Sequence, residues 1–162
     1  MKLLAIFAAA GLLASALGAQ AGPAEDCTQG EDPQLSIQGC TTLINAGQLN
    51  SEGMAIAHNN RGNAYQRLND PQQALQEYDR AINLNPNYST AYNNRAVSNC
   101  MVGNINGAIA DFTRAASSDA RLAKQLQGFM QRRGHYKGAL DGAFGPASKA
   151  ALSAMINADC RG

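Results

Sequence analysis

The sequence has few of the residues from which metal and redox sites are built. It contains only two histidines, and none of its four cysteines lies in a Cys-x-x-Cys pair. Zinc sites draw on clusters of cysteine and histidine, and thioredoxin-like redox sites need the Cys-x-x-Cys spacing. We therefore expect neither a metal site nor a bound cofactor.

Signs of an active site are also missing. No serine has a partnered histidine, and no two carboxylates are set as in a glycosidase. His135 stands alone in a loop, where we expect it to be solvated, and packing explains His58 better than catalysis. We expect no catalytic residues and no enzyme.

Aromatic residues are scarce, and the charges nearly balance. Aromatics make up 6% of the chain, and 13 Lys+Arg face 12 Asp+Glu. With so few aromatics near its arginines, the chain is a poor candidate for binding nucleic acid. The charges are nevertheless unevenly placed: residues 22–118 hold five basic and nine acidic side chains, and residues 119–162 hold seven and three. The basic tail favours an anionic partner or, more commonly, is a solvated face.

Long apolar runs are absent except at the start. Lys2 precedes an apolar stretch from Leu3 to Leu17, and Ala19-Gln20-Ala21 follows it. This pattern predicts a secretory signal peptide over residues 1–21. The alternative, a retained anchor, is less favoured because a membrane span needs about 20 apolar residues. We expect an exported, periplasmic protein with no membrane span after signal cleavage.

Four cysteines in an exported chain predict two disulfides. Three pairings exist, and we favour Cys27–Cys40 with Cys100–Cys160. The first closes a short local loop, and the second ties the C-terminal tail back to the middle of the chain.

The middle of the chain repeats itself after 34 residues, the distance from Arg61 to Arg95. The corresponding pairs are Asn59-Asn60-Arg61 with Asn93-Asn94-Arg95, Ala74 with Ala108, Tyr78 with Phe112, and Ala81 with Ala115. A self-match at this period predicts a helix-turn-helix solenoid.

The residues of this pattern resemble the tetratricopeptide repeat. They are Gly62 and Tyr65 in a first helix, Ala74, Tyr78 and Ala81 in a second, and the helix-ending Pro86. The resemblance implies an all-α repeat solenoid over residues 34–120, with repeats at 55–88 and 89–120. Residues 34–47 would be the second half of a repeat whose first half is missing, preceded by an extended lead-in at 22–33.

The resemblance also implies a groove on the concave face of the first helices that binds a protein or peptide partner. The corresponding side chains are Asn59, Asn60, Asn63, Gln66, Arg67, Asn93, Asn94 and Met101. Asparagine amides both donate and accept hydrogen bonds, as a peptide backbone requires. The alternative is that these side chains bridge adjacent helices, since repeat arrays depend on neighbour contacts.

The tail at residues 121–162 carries a different pattern. Its motifs are Leu126-Gln127, Gly134-x-Tyr136-x-Gly138, Asp141-Gly142-x-Phe144-Gly145, and a helix beginning near Ser148. They resemble the peptidoglycan-binding domain of bacterial cell-wall hydrolases and imply a small helix-loop-helix module. The resemblance makes Tyr136, Asp141 and Phe144 candidate wall-binding residues. Alternatively, Asp141 closes a turn and the two aromatics belong to the core.

Three hypotheses follow for the function. The first is an exported adaptor that binds protein and is associated with peptidoglycan through its tail. The second is a pure repeat scaffold whose tail only caps the solenoid. The third is an accessory subunit or regulator of a cell-wall hydrolase. Under the second, Leu126, Phe129 and Met130 should pack on the second repeat; under the first, they should pack on Leu152 and Met155.

Overall fold

The computed structural model describes residues 22–28 and 30–160, and all regular secondary structure in these residues is helical. The predicted signal peptide lies outside the described residues. The helices are α1 (Pro23–Thr28), α2 (Pro33–Ala46), α3 (Ser51–Arg67), α4 (Pro71–Leu84), α5 (Ser89–Met101), α6 (Ile105–Ser118), α7 (Ala120–Arg132) and α8 (Pro146–Asp159). The predicted all-α fold is confirmed. Among these described helices, none has the length and apolar character that a membrane span requires.

Side-chain caps set the helix boundaries in the repeats. Asp70 accepts a hydrogen bond from the Gln73 amide at 3.1 Å, and Pro71 follows it at the first helical position. Asn104, one repeat later, accepts from the Gly107 amide at 3.1 Å. Such caps satisfy amides that have no partner within the helix. The two repeats therefore turn at equivalent positions because the capping residue recurs with the repeat.

The two helices of the first repeat approach closely at Gly62. A methyl group built on Gly62 would lie 2.6 Å from Cε1 of Tyr78, whose side chain is fully buried. Small residues elsewhere in both repeats are also completely buried: Ala74, Ala81, Ala91, Ala96, Ala108 and Ala115. Small side chains on one helix thus leave the space that a large ring from the other fills.

The extended lead-in predicted for residues 22–33 is wrong, because residues 23–28 form α1, which packs on α2. Contact between these helices requires Gly39, since a Cβ there would lie 2.6 Å from Cβ of Asp26 and 2.7 Å from the Cys27 nitrogen. The disulfide Cys27–Cys40 joins the same two helices. The half repeat predicted at residues 34–47 therefore has a first helix, the short α1, where the sequence suggested none.

The two C-terminal helices share a hydrophobic core with the second repeat. Leu126 and Met130 of α7 belong to one cluster with Ala108 of α6 and with Leu152 and Met155 of α8. The second predicted disulfide, Cys100–Cys160, links the end of α5 to the end of α8. For Leu126 and Met130 both packing expectations therefore hold together, since α7 and α8 pack on each other and also cover the end of the solenoid. Phe129 lies outside this cluster and is 41% exposed.

Gly62 and Gly128 provide a matched pair of buried helix glycines for a test of this packing. We expect Gly62→Ala to destabilise the protein by about 1–3 kcal/mol, because the new methyl group overlaps the Tyr78 ring. Gly128→Ala should be neutral or stabilising by up to about 1 kcal/mol, since alanine favours helix and the nearest atom would be 3.6 Å away. Urea unfolding monitored by circular dichroism measures both, and equal effects would contradict the close approach.

Candidate functional site

A groove with a volume of about 390 Å³ lies between the N-terminal segment and the predicted face of α3, and it reaches α5 at Asn94. Five of the eight predicted groove residues line it: Asn60, Asn63, Gln66, Arg67 and Asn94. Asn59 is buried beneath the groove, and Asn93 lines two adjoining cavities on the side of α7. Met101 is exposed at the end of α5. The structure thus brings most of the predicted side chains to one surface.

Three of the amides in this set form a network that joins the first helices of the two repeats. The Asn94 amide nitrogen donates to the side-chain oxygens of Asn59 at 3.1 Å and Asn63 at 2.9 Å. The Tyr78 hydroxyl donates to the same oxygen of Asn63 at 2.8 Å. These side chains therefore have the helix-bridging role that the sequence left open as the alternative.

Two other amides of the predicted set, Asn60 in the groove and Asn93 beside α7, keep more of their hydrogen-bonding capacity. The side-chain contacts from Asn59 to Asn60 and from Asn93 to Asn94 both measure 3.4 Å, near the limit of a hydrogen bond. An amide side chain offers two donor hydrogens and an acceptor oxygen. Asn60 and Asn93, both half-buried, are thus the amides best able to engage a partner.

One end of the groove is closed by the N-terminal segment. Arg67 donates through Nη2 to the backbone oxygen of Glu31 at 2.9 Å, and Thr28 and Gly30 line the same end. The segment is fixed in turn by the disulfide of Cys27. The length of the groove on this side is therefore set by α1 and the loop that follows it.

A buried carboxylate in each repeat was not identified from the sequence. Glu77 is 2% exposed and accepts hydrogen bonds from Nδ1 of His58 at 2.8 Å and Nε of Arg61 at 2.9 Å. Arg80 also pairs with it. Burial by itself would raise the pKa of Glu77, but the His58 hydrogen bond and the Arg61 charge outweigh it, so the pKa lies below its usual value.

Asp111 is the equivalent carboxylate of the second repeat. Arg95 donates to both of its oxygens, at 2.8 and 2.7 Å, and Asn99 donates to one of them at 3.0 Å. The hydrogen bonds to Asp111 are the main reason that the pKa of Arg95 is raised. Asn99, which stands one repeat after Tyr65, therefore adds a polar link between α5 and α6. The recurrence of an arginine and, 16 residues later, a carboxylate was the signal in the sequence.

Gln127 organises the loop of the C-terminal module. Its side chain is completely buried, and its Nε2 lies within 3.2 Å of Asp141 Oδ1, the backbone oxygen of Ala143 and the hydroxyl of Ser148. Its Oε1 accepts from the Gly142 amide at 2.9 Å. One amide side chain thus fixes the loop between α7 and α8. The sequence singled out Gln127 only as part of a motif.

The three candidate wall-binding residues are engaged in this loop. Asp141 accepts from the Ala143 amide at 2.9 Å, and this bond together with the one from Gln127 lowers the pKa of its carboxyl. Tyr136 is buried and donates its hydroxyl hydrogen to the Ala139 backbone oxygen at 3.0 Å. Phe144 packs against the shared core. Their arrangement matches the structural alternative: Asp141 closes a turn, and the aromatics are packed.

Within residues 22–28 and 30–160, no three side chains of histidine, cysteine, aspartate or glutamate are grouped so as to hold a metal ion. The two ionic clusters described above are pairs of arginine with carboxylate, which leave the carboxylate oxygens occupied. Their arrangement is that of structural links between helices.

Comparisons with known proteins agree with the repeat architecture. Two family models for the tetratricopeptide repeat match the chain, at residues 55–88 and 77–110. Over 60 residues the chain is 45% identical to tetratricopeptide repeat protein 36 of Bos taurus, covering 36% of this chain and 32% of that protein. The chain thus spans about a third of the length of this curated relative. Tetratricopeptide repeats are present in the chain, and such repeats generally bind protein partners.

The lowered pKa of Glu77 predicts a loss of stability in acid. A carboxyl whose pKa is lower in the folded than in the unfolded protein stabilises the fold above its unfolded value, near 4.5. That contribution is lost as the pH falls through the folded pKa. We expect Glu77→Gln to cost on the order of 3 kcal/mol near neutral pH, because it leaves Arg61 without its buried partner.

The difference in the free energy of unfolding between wild type and Glu77→Gln should then shrink on acidification. Urea unfolding at steps from about pH 7 to about pH 3 measures it. The exposed Glu52→Gln serves as control. A difference between wild type and Glu77→Gln that stays constant over this range would contradict the assignment.

Proposed function

We propose that the protein is an exported, non-catalytic adaptor that binds a protein or peptide partner in the groove along α3 and α5. The observation that carries the proposal is the row of amides on α3 and α5, of which Asn60 in the groove and Asn93 in the adjoining cavities retain hydrogen-bonding capacity. The presence of tetratricopeptide repeats supports the same role.

The geometry favours an extended segment from within a partner over a chain terminus. Clamping of a terminal carboxylate by these repeats calls for a cation at positions 59 and 93, but both positions hold asparagine. Amides pair instead with the alternating donors and acceptors of a peptide backbone. The network through Asn94 holds the surface in place before binding, which lowers the entropic cost of association.

Two features support export to an oxidising compartment, which we take to be the periplasm of a Gram-negative bacterium. One is the signal-peptide pattern at residues 1–21. The other is that all four cysteines are joined in disulfides, Cys27–Cys40 and Cys100–Cys160. Such bonds persist in exported proteins and are rare in the reducing cytosol.

Site-specific photocrosslinking tests the adaptor role. A photoreactive amino acid placed at Asn60 or Asn93 should give a discrete adduct with a partner in cells that produce the protein. The same amino acid at Asn83, exposed on α4, is the matched control and should give none. Adducts of equal yield at all three positions, or at none, would contradict a binding surface on α3 and α5.

Association with peptidoglycan is the second candidate, either directly or as a regulator of a cell-wall hydrolase. It is favoured by the order of the motifs in the tail and by residues 137–141, which form an exposed part of the loop. Against it stands the internal use of Tyr136, Asp141 and Phe144. The shared core favours the alternative in which α7 and α8 only cap the solenoid.

Co-sedimentation of the full chain with purified peptidoglycan sacculi separates these alternatives. Deleting the tail is unsuitable, because it would expose the core face of α6 around Ala108 and Ala116. If the loop binds the wall, Lys137→Glu with Leu140→Asp should abolish sedimentation, whereas Lys149→Glu on the surface of α8 should not. No sedimentation of the unaltered chain would leave only the capping role.

A further inference from the structure

A second cavity, with a volume of about 270 Å³, opens between α5, α7 and α8 beside the groove. Its walls are largely apolar, with Val97 from α5, Phe129 from α7 and Met155 from α8, and the disulfide Cys100–Cys160 also lines it. Val97 and Phe129 are 38% and 41% exposed. Large side chains in contact with solvent at a concave site are typical of surfaces that a partner covers.

The size of the cavity limits what it can hold. Sites for small molecules and cofactors usually measure about 300–1,000 Å³ and enclose most of the ligand. This cavity is smaller and has only two polar lining side chains, Asn93 and Asp159. It therefore fits a bulky apolar side chain from a larger partner better than an independent ligand. Buried apolar anchors of this kind dominate the binding energy of many interfaces.

The charges around the cavity indicate which residue types flank the apolar anchor in the partner. Helix α7 contains Arg121, Lys124 and Arg132 but no carboxylate. Arg121, Gln125, Phe129 and Arg133 follow one another at four-residue spacing and so lie along one face. Arg121 lines the cavity next to this one, and the Arg133 guanidinium lies 5.9 Å from the centre of the Phe129 ring.

Two nearby acidic side chains, Asp119 and Asp159, offset only part of this positive charge, because α7 and its C-cap carry four basic side chains. Asp159 is paired with Arg133 at 2.5 Å, and a guanidinium has five N–H donors, so Arg133 can bind a further carboxylate. Asp119 accepts from the amides of Arg121 and Leu122 at the start of α7. The apolar cavity is thus bordered by cations at both ends of the exposed face of α7.

We propose that this cavity receives a large apolar side chain, leucine, phenylalanine or methionine, from an acidic peptide segment of the partner. The aspartate or glutamate residues on either side of the anchor pair with Arg121 and Arg133. The proposal rests on the proposed function, because Asn94 lines the groove and its neighbour in sequence, Asn93, lines this cavity, so that the same peptide would cross both.

Selection from a random twelve-residue peptide display library tests the proposal with a defined probe. The immobilised chain should enrich peptides that carry one bulky apolar residue flanked by aspartate or glutamate. For an enriched peptide, Val97→Glu should weaken binding on the order of tenfold or more, because it places a charge in the apolar wall. Arg121→Glu should also weaken it, and the affinity of the wild type should fall with rising salt.

Matched substitutions elsewhere serve as controls. Leu35→Glu replaces another exposed apolar residue, and Lys149→Glu makes the same charge change on α8; both should leave binding unchanged. Peptides that lose affinity with Asn60→Arg but not with Val97→Glu would overturn this inference and leave the adaptor role standing. A library that yields no binder would count against both.

A further experiment distinguishes an acidic peptide from a second copy of the chain as the occupant of the cavity. Sedimentation velocity of the wild type and of Val97→Glu over a range of concentrations measures it. A dimer that dissociates on Val97→Glu, and that the enriched peptides do not dissociate, would overturn the assignment to an acidic peptide.

Discussion

The buried pairing of an arginine with a carboxylate holds successive helices of this protein together. Arg61 on α3 reaches Glu77 on α4 and also donates to the Thr41 hydroxyl on α2 at 2.9 Å. One repeat later, Arg95 on α5 reaches forward to Asp111 on α6 and back to Asp79 on α4 at 2.6 Å. Each arginine thus joins its own repeat to the preceding one. Since removing one partner would leave a buried charge, the positions depend on each other.

The face of α3 and α5 that carries the amides can be polar because the helices are already held in register elsewhere. The arginine–carboxylate pairs and the small buried residues hold them. Asn94 bridges to Asn59 and Asn63 across the two repeats, and Tyr78 completes the network from α4. A fully bonded polar network is rigid, whereas an incompletely bonded one would be costly. The face therefore combines a fixed inner row of amides with the less engaged Asn60 and Asn93.

Each end of the solenoid is covered by a segment that its own disulfide bonds to the repeats. At the N-terminal end, α1 lies on α2 at Gly39 and is bonded through Cys27–Cys40. At the C-terminal end, α7 and α8 cover α6, and Cys100–Cys160 connects α8 to α5. Terminal repeats must cover an apolar face that an internal repeat would bury against its neighbour. In this chain the C-terminal cover also forms the wall of a second, apolar cavity.

The sequence by itself determined the helical repeat, because the spacing of its small and large residues and the helix-ending Pro86 act locally. It also pointed to the disulfide Cys27–Cys40, which closes a short loop. Only the tertiary structure decided which polar side chains are internal. Glu77, Asp111 and Gln127 look like solvated surface in the sequence, and they are buried because partners distant along the chain satisfy them. Helix α1 was missed for the same reason, since so short a helix is stable only through packing on α2 and the bond from Cys27.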